Sequence, residues 1–259
     1  MRLATWNINS VRLRIDLVLD FIRRHNIDVL CLQETKTEDV HFPVAALAEA
    51  GWPHHVYRGE KSYNGVAIIS RLKLSDPDHM DWVGRGDCRH ISARIEGGPL
   101  VHNFYVPAGG DVPDRDENPK FGHKLDFIAE MTGYFAANRP QNAILVGDLN
   151  IAPLAEDVWS TKQLRNVVSH TPVEREGLLR LIADGGWHDV VRAHFGPDDI
   201  LYSWWSYRAR DWAASDRGRR LDHVWTSHDL ADSVRSVSIE RDLRGAEKPS
   251  DHVPTVIEL

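Results

Sequence analysis

The chain has 259 residues, of which 42% are hydrophobic and 27% charged, and its formal net charge is −7. This is the composition of an ordinary globular protein, and the negative total argues against a protein held on nucleic acid by its overall charge. Two cysteines cannot build a disulfide framework or a four-ligand zinc site. We find no signal-peptide pattern and no apolar run of membrane-spanning length, so we expect a cytoplasmic protein without a membrane partner.

Short apolar runs predict strands along the whole chain. They lie at Leu3–Asn7, Val29–Gln33, Gly65–Ser70, Ile91–Ile95, Leu100–Val106, Ile144–Gly147, Leu221–Thr226 and Val253–Ile257. Asn64-Gly65 before the third run is typical of a hairpin turn.

Three helices are predicted between these strands. The first runs from about Val11 to His25, with Ser10 as its N-cap, and the second covers about Lys120–Ala137. The third begins after Thr171 with a Thr171–Glu174 capping box and ends near Gly185. Strands and helices mixed in this way indicate an α/β protein with packed sheets covered by helices, and we interpret residues 1–259 as one domain.

Polar side chains follow or precede several of these strands. They are Asn7, Glu34, Tyr105, Asp148, Asn150, Asp222, Asp251 and His252. One carboxylate at a strand end is usually a cap or a turn residue, but so many together predict an oxygen-rich pocket if they converge. Hard oxygen ligands suit Mg²⁺ or Mn²⁺.

The stretch "AILVGDLNIAP" shows the pattern most clearly. An apolar strand runs directly into Asp148 and Asn150, and alternate residues of an extended segment share a face. A metal held by carboxylates, beside a histidine, a tyrosine and an amide, is typical of phosphoryl transfer to water. The sequence has neither the phosphate-binding GxxxxGK[ST] loop nor the GxSxG elbow of acyl transfer.

The ordered motifs "WNINSVRLR", "DVLCLQETK", "GVAIISR", "NFYVPAG", "GDLNIAP", "SWWSYR", "GRRLDHVWTS" and "KPSDHVP" resemble those of the exonuclease III family of apurinic/apyrimidinic (AP) endonucleases. That family belongs to the endonuclease/exonuclease/phosphatase superfamily. The resemblance implies a four-layer α/β sandwich, in which two facing mixed β-sheets are flanked by helices. It also implies a Mg²⁺-dependent monomer, with Mn²⁺ as a substitute, that acts on double-stranded DNA at abasic sites or 3′ ends and associates with the nucleoid.

The resemblance also implies a role for each metal-binding or catalytic candidate. Glu34 would be the principal metal ligand, with Asn7 and Asp251 nearby. Asp148 would activate or orient the attacking water.

Asn150 would hold that water or the phosphate, and His252 would donate to the phosphate while Asp222 orients it. Tyr105 would hydrogen-bond the phosphate or assist proton transfer. Asp148, Asn150 and His252 would also serve a second metal position.

Two further features concern substrate binding. Trp204 would wall the pocket that accepts a flipped-out abasic sugar, as the resemblance implies. Five arginines between Arg208 and Arg220 form either a solvated loop or a stripe that contacts phosphates, and Arg208 is its substrate-binding candidate. The resemblance also implies that residues 154–170 lie where the balance of activities within the family would be tuned, but the sequence of this segment does not indicate in which direction.

Several functions remain open on the sequence. The first is exonuclease, AP endonuclease and 3′-end trimming combined, and the second is 3′-end processing with little AP endonuclease activity. A superfamily phosphatase on a non-DNA phosphoester and an inactive DNA-binding module are further alternatives. Glu34, Asp148 and His252 are all present, which argues against the inactive module.

Overall fold

Fourteen strands and seven α-helices alternate along the computed structural model, which describes residues 1–259. The strands are β1 (Arg2–Asn7), β2 (Val29–Gln33), β3 (His54–Glu60), β4 (Tyr63–Ser70), β5 (Leu74–Asp78), β6 (His90–Ile95), β7 (Leu100–Tyr105), β8 (Ala143–Asp148), β9 (Trp187–Asp189), β10 (Trp204–Trp205), β11 (Gly218–Arg219), β12 (Asp222–Ser227), β13 (Ser236–Ile239) and β14 (Thr255–Glu258). The α-helices are α1 (Ile15–Arg24), α2 (Val44–Glu49), α3 (Pro119–Ala137), α4 (Thr161–Leu164), α5 (Pro172–Gly185), α6 (Val190–His194) and α7 (Trp212–Ser215). None of the helices combines the length and apolar composition that crossing a membrane requires.

Twelve of the strands form two six-stranded mixed sheets. The first sheet has the order β13–β14–β1–β2–β4–β3, with β1 parallel to β2 and antiparallel to β14. The second has the order β5–β6–β7–β8–β12–β9, with β7 parallel to β8 and β12 antiparallel to β8. The remaining strands, β10 and β11, pair as a short antiparallel ribbon.

The two sheets pack face to face around an apolar core. The members of this core from both sheets include Leu3, Val29, Cys31, Val66, Ile68, Ile91, Val101, Ile144, Val146 and Val224. Alternation along each strand sends the intervening residues outward. Trp6 of β1 therefore packs with Phe21 of α1, and Leu145 of β8 packs with Phe127 of α3 and Leu178 of α5. The result is helix, sheet, sheet, helix, which confirms the four-layer α/β sandwich.

Two buried amides connect the sheets through this core. Gln33 of β2 donates from Nε2 to Oδ1 of Asn103 on β7, at 2.6 Å. Asn103 donates in turn to the backbone oxygens of Leu32 and Ala67 in the first sheet, both at 2.9 Å. Both amide side chains are fully buried, so these bonds form without competition from water.

All eight predicted strands are present, with ends within two residues of those predicted. The predicted turn at Asn64-Gly65 is wrong, because both residues lie inside β4 and the hairpin turns at residues 61–62. Their positive φ values let β4 pass close to Thr35, whose Oγ1 would lie 2.1 Å from a Cβ placed on Gly65.

The first helix begins at Ile15 and not at Val11, and Ser10 is not its cap. The backbone N–H groups of Ser10 and Val11 donate to the carbonyls of Glu34 and Thr35, which fixes this segment as a loop against the end of β2. The other two helices agree with the prediction. In α5, the Thr171–Glu174 capping box is formed and Gly186 ends the helix in a left-handed conformation.

Candidate active site

Five polar residues at strand ends meet at one edge of the sandwich. Asn7 ends β1, and Glu34 follows β2, its parallel neighbour. In the second sheet, Tyr105 and Asp148 are paired at the ends of β7 and β8, and Asp222 lies opposite Asp148 at the start of β12. The strand directions therefore place the group from the first sheet (Asn7 and Glu34) and the group from the second sheet (Tyr105, Asp148 and Asp222) at the same edge of the sandwich.

Asn7 connects the two groups. Its Nδ2 donates to Oε1 of Glu34 and to Oδ2 of Asp148, both at 2.8 Å, and its Oδ1 accepts from the backbone N–H of Asn9 at 3.1 Å. Asn7 therefore bridges two carboxylates that belong to different sheets. A role for its amide oxygen as a metal ligand stays a prediction.

Glu34 is held by donors on both carboxylate oxygens. The Tyr105 hydroxyl donates to Oε1 at 2.9 Å, and the Lys36 ammonium lies 2.7 Å from Oε2. Burial alone would raise the pKa of Glu34, but Lys36 and the Asn7 amide outweigh burial and lower it. Glu34 is therefore ionised at neutral pH. Burial and the carboxylates of Glu34 and Asp148 raise the pKa of Tyr105 well above its ordinary value, so its phenol keeps the proton and donates.

His252 is oriented by Asp222 behind it. Nδ1 of His252 lies 2.8 Å from Oδ2 of Asp222, and the same oxygen accepts from the hydroxyl of Ser203 at 2.7 Å. The other ring nitrogen, Nε2, faces Oδ2 of Asp148 at 3.7 Å. Burial alone would lower the pKa of His252, but Asp222 and Asp148 outweigh it and raise the pKa. The imidazolium form is therefore favoured.

Asp148 is fully buried between Asn7 and His252. Burial raises its pKa, which suits a carboxylate that accepts a proton. The preceding Gly147 is required by the close approach of β7, because a Cβ at this position would lie 1.9 Å from the carbonyl oxygen of Phe104. The apolar strand therefore needs a glycine in order to end at this aspartate.

Asn150 faces the same side as Asp148, but not for the predicted reason. Its φ is +55°, so residues 148–150 are not extended throughout, and asparagine tolerates this left-handed conformation. The backbone N–H of Asn150 donates to Oδ1 of Asp148 at 2.9 Å, and its Nδ2 donates to Oδ2 of Asp148 at 3.2 Å and to the carbonyl of Val106 at 2.9 Å.

Three of the predicted ligands can converge on one cation. One ligand atom each from Glu34, Asp148 and His252 lie within 4.8 Å of one another. Two carboxylates and an imidazole fit a divalent metal ion, and the oxygen donors suit a hard one. Asp251, a fourth predicted ligand, does not belong to this group. Both of its carboxylate oxygens accept hydrogen bonds instead, from Asn9 at 3.1 Å and from Trp204 at 3.0 Å.

Trp204 stands beside the catalytic candidates. Its backbone pairs antiparallel with that of His252, and its indole N–H donates to Asp251. The guanidinium of Arg219 lies 5.2 Å from the centroid of its ring. Trp204 and Arg219 both line a cleft of about 1160 Å³ whose lining also includes Glu34, Tyr105 and His252.

The five arginines between 208 and 220 do not form one stripe. Arg208, Arg210, Arg217 and Arg219 line the cleft. Arg220 is buried instead, with ion pairs to Asp157 at 2.8 Å and Asp189 at 2.7 Å. The stripe interpretation is therefore wrong for Arg220, because distant aspartates draw it into the interior.

Sequence reasoning missed a chain of polar residues around the site. Lys36 contacts both Glu34 and Asn9, and Asn9 contacts Asp251. Lys36 and Asn9 lie inside the motifs "LQETK" and "WNINS", which was the available signal. Ser203, which holds Asp222, gave no signal of its own.

The four-layer sandwich and the site at its edge define the class of α/β-sandwich phosphoesterases. The model of the endonuclease/exonuclease/phosphatase family matches residues 4–252, so the chain belongs to this family. Within it, the chain is a member of the exonuclease III family and a nuclease that hydrolyses phosphodiester bonds.

Curated relatives match over nearly the full chain. Exodeoxyribonuclease III of Haemophilus influenzae is 32% identical, with 98% of both chains covered. An exodeoxyribonuclease of Bacillus subtilis is 30% identical, over 98% of this chain and 97% of that one.

Solved structures also match in full. NExo from Neisseria, a 3′ phosphatase bound to a product DNA hairpin, has a TM-score of 0.92 at 33% identity and covers 100% of this chain and 99% of its own. An AP endonuclease from Archaeoglobus fulgidus has a TM-score of 0.93 at 32% identity, with the same coverage.

Proposed function

We propose that this nuclease is a Mg²⁺-dependent DNA-repair phosphodiesterase. Its activities would be 3′→5′ exonuclease on double-stranded DNA, cleavage 5′ to abasic sites and trimming of 3′ ends. The observation that carries the proposal is the position of the buried Asp148 between the Glu34 carboxylate and the His252–Asp222 pair. Glu34 and His252 line a cleft that four arginines also line. The names of the relatives support DNA as the substrate.

The residues of the site divide the reaction between them. Asp148 takes a proton from water, and its raised pKa suits that task. His252, kept charged by Asp222, donates to the phosphate as negative charge develops there. Asn150 holds the water or the phosphate through its amide, and Tyr105 donates from its neutral phenol.

Glu34, with the carboxylate of Asp148 close by, would hold the metal, which we propose to be Mg²⁺ with Mn²⁺ as a substitute. His252 could join as a ligand only in its neutral form, because the charged ring that donates to the phosphate has no lone pair for a metal. When bound, the metal offsets charge on the phosphate oxygens. Lys36 compensates part of the charge of Glu34.

A comparison of three duplexes tests the proposal. One carries an internal abasic site, one a 3′-phosphate and one a plain recessed 3′ end. We expect Mg²⁺-dependent cleavage by the wild type that EDTA stops, and no cleavage by Asp148→Asn, which should still bind the duplex. Full activity of Asp148→Asn would show that Asp148 is not the proton acceptor. Activity that survives complete chelation would show that the reaction does not depend on a metal.

A second candidate function is 3′-end processing with little AP endonuclease activity. This function is favoured by the guanidinium of Arg219, which lies 5.2 Å from the ring centroid of Trp204. Trp204 is the residue expected to wall an abasic-sugar pocket, so a cation lies beside the ring that the neutral sugar would contact.

A further inference from the structure

Arg219 is a cation without a carboxylate partner in the wall of the catalytic cleft. Its Nη1 donates to Oγ of Ser169 at 2.7 Å and to the carbonyl of Val168 at 3.2 Å, both neutral acceptors. Its Nε is buried and has no hydrogen-bond partner. The neighbouring Arg220 has two aspartate partners, so the two arginines of "GRR" differ completely in their charge balance.

The partial burial of the Arg219 guanidinium disfavours its charged form, because the charge loses contact with water. Burial lowers the pKa of Arg219, and only the more distant Glu174 opposes the shift. A guanidinium nevertheless stays protonated at neutral pH, so the wall carries a positive charge with spare donor capacity. A buried charge with unused donors is stabilised when an anion binds beside it.

The position of Arg219 relates that charge to the reaction. Its guanidinium lies on the ring of Trp204, and Trp204 is paired through its backbone with His252. Arg219 therefore occupies the part of the cleft next to the residues that act on the scissile phosphate. A group attached to that phosphate would meet a cation on this wall and not a bare aromatic face.

We propose that Arg219 makes this subsite selective for an anionic group at the scissile phosphate over the neutral deoxyribose of an internal abasic site. The anion would be the additional oxyanion of a terminal 3′-phosphate or the carboxylate of an acidic 3′-blocking group. Both offer oxygens that a planar guanidinium binds through charge-assisted hydrogen bonds. This inference rests on the proposed function, because it assigns the substrate preference of the same site.

Three duplexes with the same flanking sequence test the preference. One ends in a 3′-phosphate, one ends in a 3′-phosphoglycolate, and one contains an internal tetrahydrofuran, a neutral abasic analogue. The measurement is kcat/KM for the wild type and for Arg219→Gln. We expect the substitution to lower the ratio of anionic-end to abasic-site activity by about tenfold, the usual effect of losing one charge-assisted hydrogen bond.

A loss confined to one of the two anionic ends would identify which anion is bound. Equal losses on all three duplexes would overturn the inference. If the wild type cleaves none of them, the proposed function itself fails.

Arg217→Gln is the matched control. Arg217 lines the same cleft and lies 4.7 Å from the centroid of the Trp159 ring, but it is exposed. We expect it to weaken all three activities by a similar factor, because exposed arginines attract DNA without selecting the group. A selective loss in Arg217→Gln equal to that in Arg219→Gln would contradict the specific role of Arg219.

A binding measurement separates recognition from folding. Inorganic phosphate should inhibit Arg219→Gln about tenfold less well than the wild type, provided that the melting temperatures agree. If Arg219→Gln does not fold, Ser169→Ala replaces it, because it removes one anchor of the guanidinium and keeps the charge. Unchanged phosphate inhibition and an unchanged activity ratio in the folded variant would overturn the inference.

Discussion

The carboxylate of Asp222 holds the imidazole of His252 through a 2.8 Å contact between Oδ2 and Nδ1, and both side chains are buried. Since Nδ1 donates to the carboxylate, Nε2 is the nitrogen that faces Asp148 and the cleft. Asp222 therefore fixes the orientation of the histidine and, together with Asp148, favours its charged form.

Replacing Asp222 by asparagine should reduce kcat strongly and change KM little. Asparagine retains the shape but lacks the charge that raises the pKa of His252. We expect a loss in kcat of about 10²–10⁴, the range typical of a lost general acid. Steady-state kinetics and a far-ultraviolet circular dichroism spectrum check this. A folded Asp222→Asn variant with wild-type kcat would show that His252 needs no partner.

Glu34→Gln should weaken metal binding. Loss of a residue that only supports a ligand already costs about 10–100-fold in metal affinity, so loss of the ligand should cost at least as much. Titration of Mg²⁺ by calorimetry measures affinity without catalysis. The control is Glu38→Gln, an exposed glutamate four residues away, which should bind Mg²⁺ like the wild type. Equal Mg²⁺ affinities of Glu34→Gln and the wild type would show that Glu34 is not a metal ligand.

Glu174→Gln should destabilise the fold. Lys124 and Glu174 are completely buried, with Nζ 2.5 Å from Oε1, and Lys124 also donates to the carbonyl of Asn150 at 2.7 Å. Breaking a buried pair leaves an uncompensated charge and costs about 3–5 kcal/mol. Urea unfolding measures the free energy of unfolding. The exposed Glu176→Gln serves as the control, with an expected change within about 0.5 kcal/mol. Similar values for both variants would contradict the prediction.

Acid should destabilise the protein below about pH 6.5 through the buried pair His90 and His102. The backbone N–H of Met80 donates to Nδ1 of His90, so Nε2 carries the proton and donates to His102 at 3.2 Å. This geometry needs both rings neutral. Burial lowers the pKa of His102 to about 4, and burial together with the neighbouring His102 lowers that of His90 well below its ordinary value.

The unfolded chain therefore binds these protons first as the pH falls. Their contribution is fully present above pH 6.5 and is lost as the pH falls through the folded pKa. His102→Asn should reduce the slope of unfolding free energy against pH between about 6.5 and 4 by about 1.4 kcal/mol per pH unit. The exposed His41→Gln should leave the slope unchanged. A wild-type slope in His102→Asn would show that this histidine does not cause the acid sensitivity.

The local part of this structure could be predicted from the sequence. The strand before Asp148 is apolar and contains the β-branched residues Ile144 and Val146, and the capping box of α5 joins Thr171 and Glu174, three residues apart. Such signals act within one element, where period and caps decide the conformation. Ser10 also had the signature of a cap, but hydrogen bonds to the end of β2 determined its conformation.

The long-range part could not be predicted by the same reasoning. Arg219 and Arg220 are neighbours with identical side chains, but one lies on an aromatic ring in the cleft and the other pairs with two aspartates inside. Their difference depends on Asp157 and Asp189, which are far away in sequence. Likewise, no spacing rule connects Asn9 with Asp251, 242 residues apart.

The amide contact between Gln33 and Asn103 has a consequence for how the nuclease is built. Apolar faces attract each other in many relative positions, whereas the hydrogen bonds from Gln33 to Asn103 and from Asn103 to Leu32 form in only one. Glu34 comes immediately after Gln33, and Tyr105 lies two residues after Asn103. The amide contact therefore fixes the relative position of the two sheets close to the active-site residues. The apolar core therefore holds the two sheets together, whereas the Gln33–Asn103 contact sets their alignment at the active site. Because different residues supply these two properties, selection can alter one without the other.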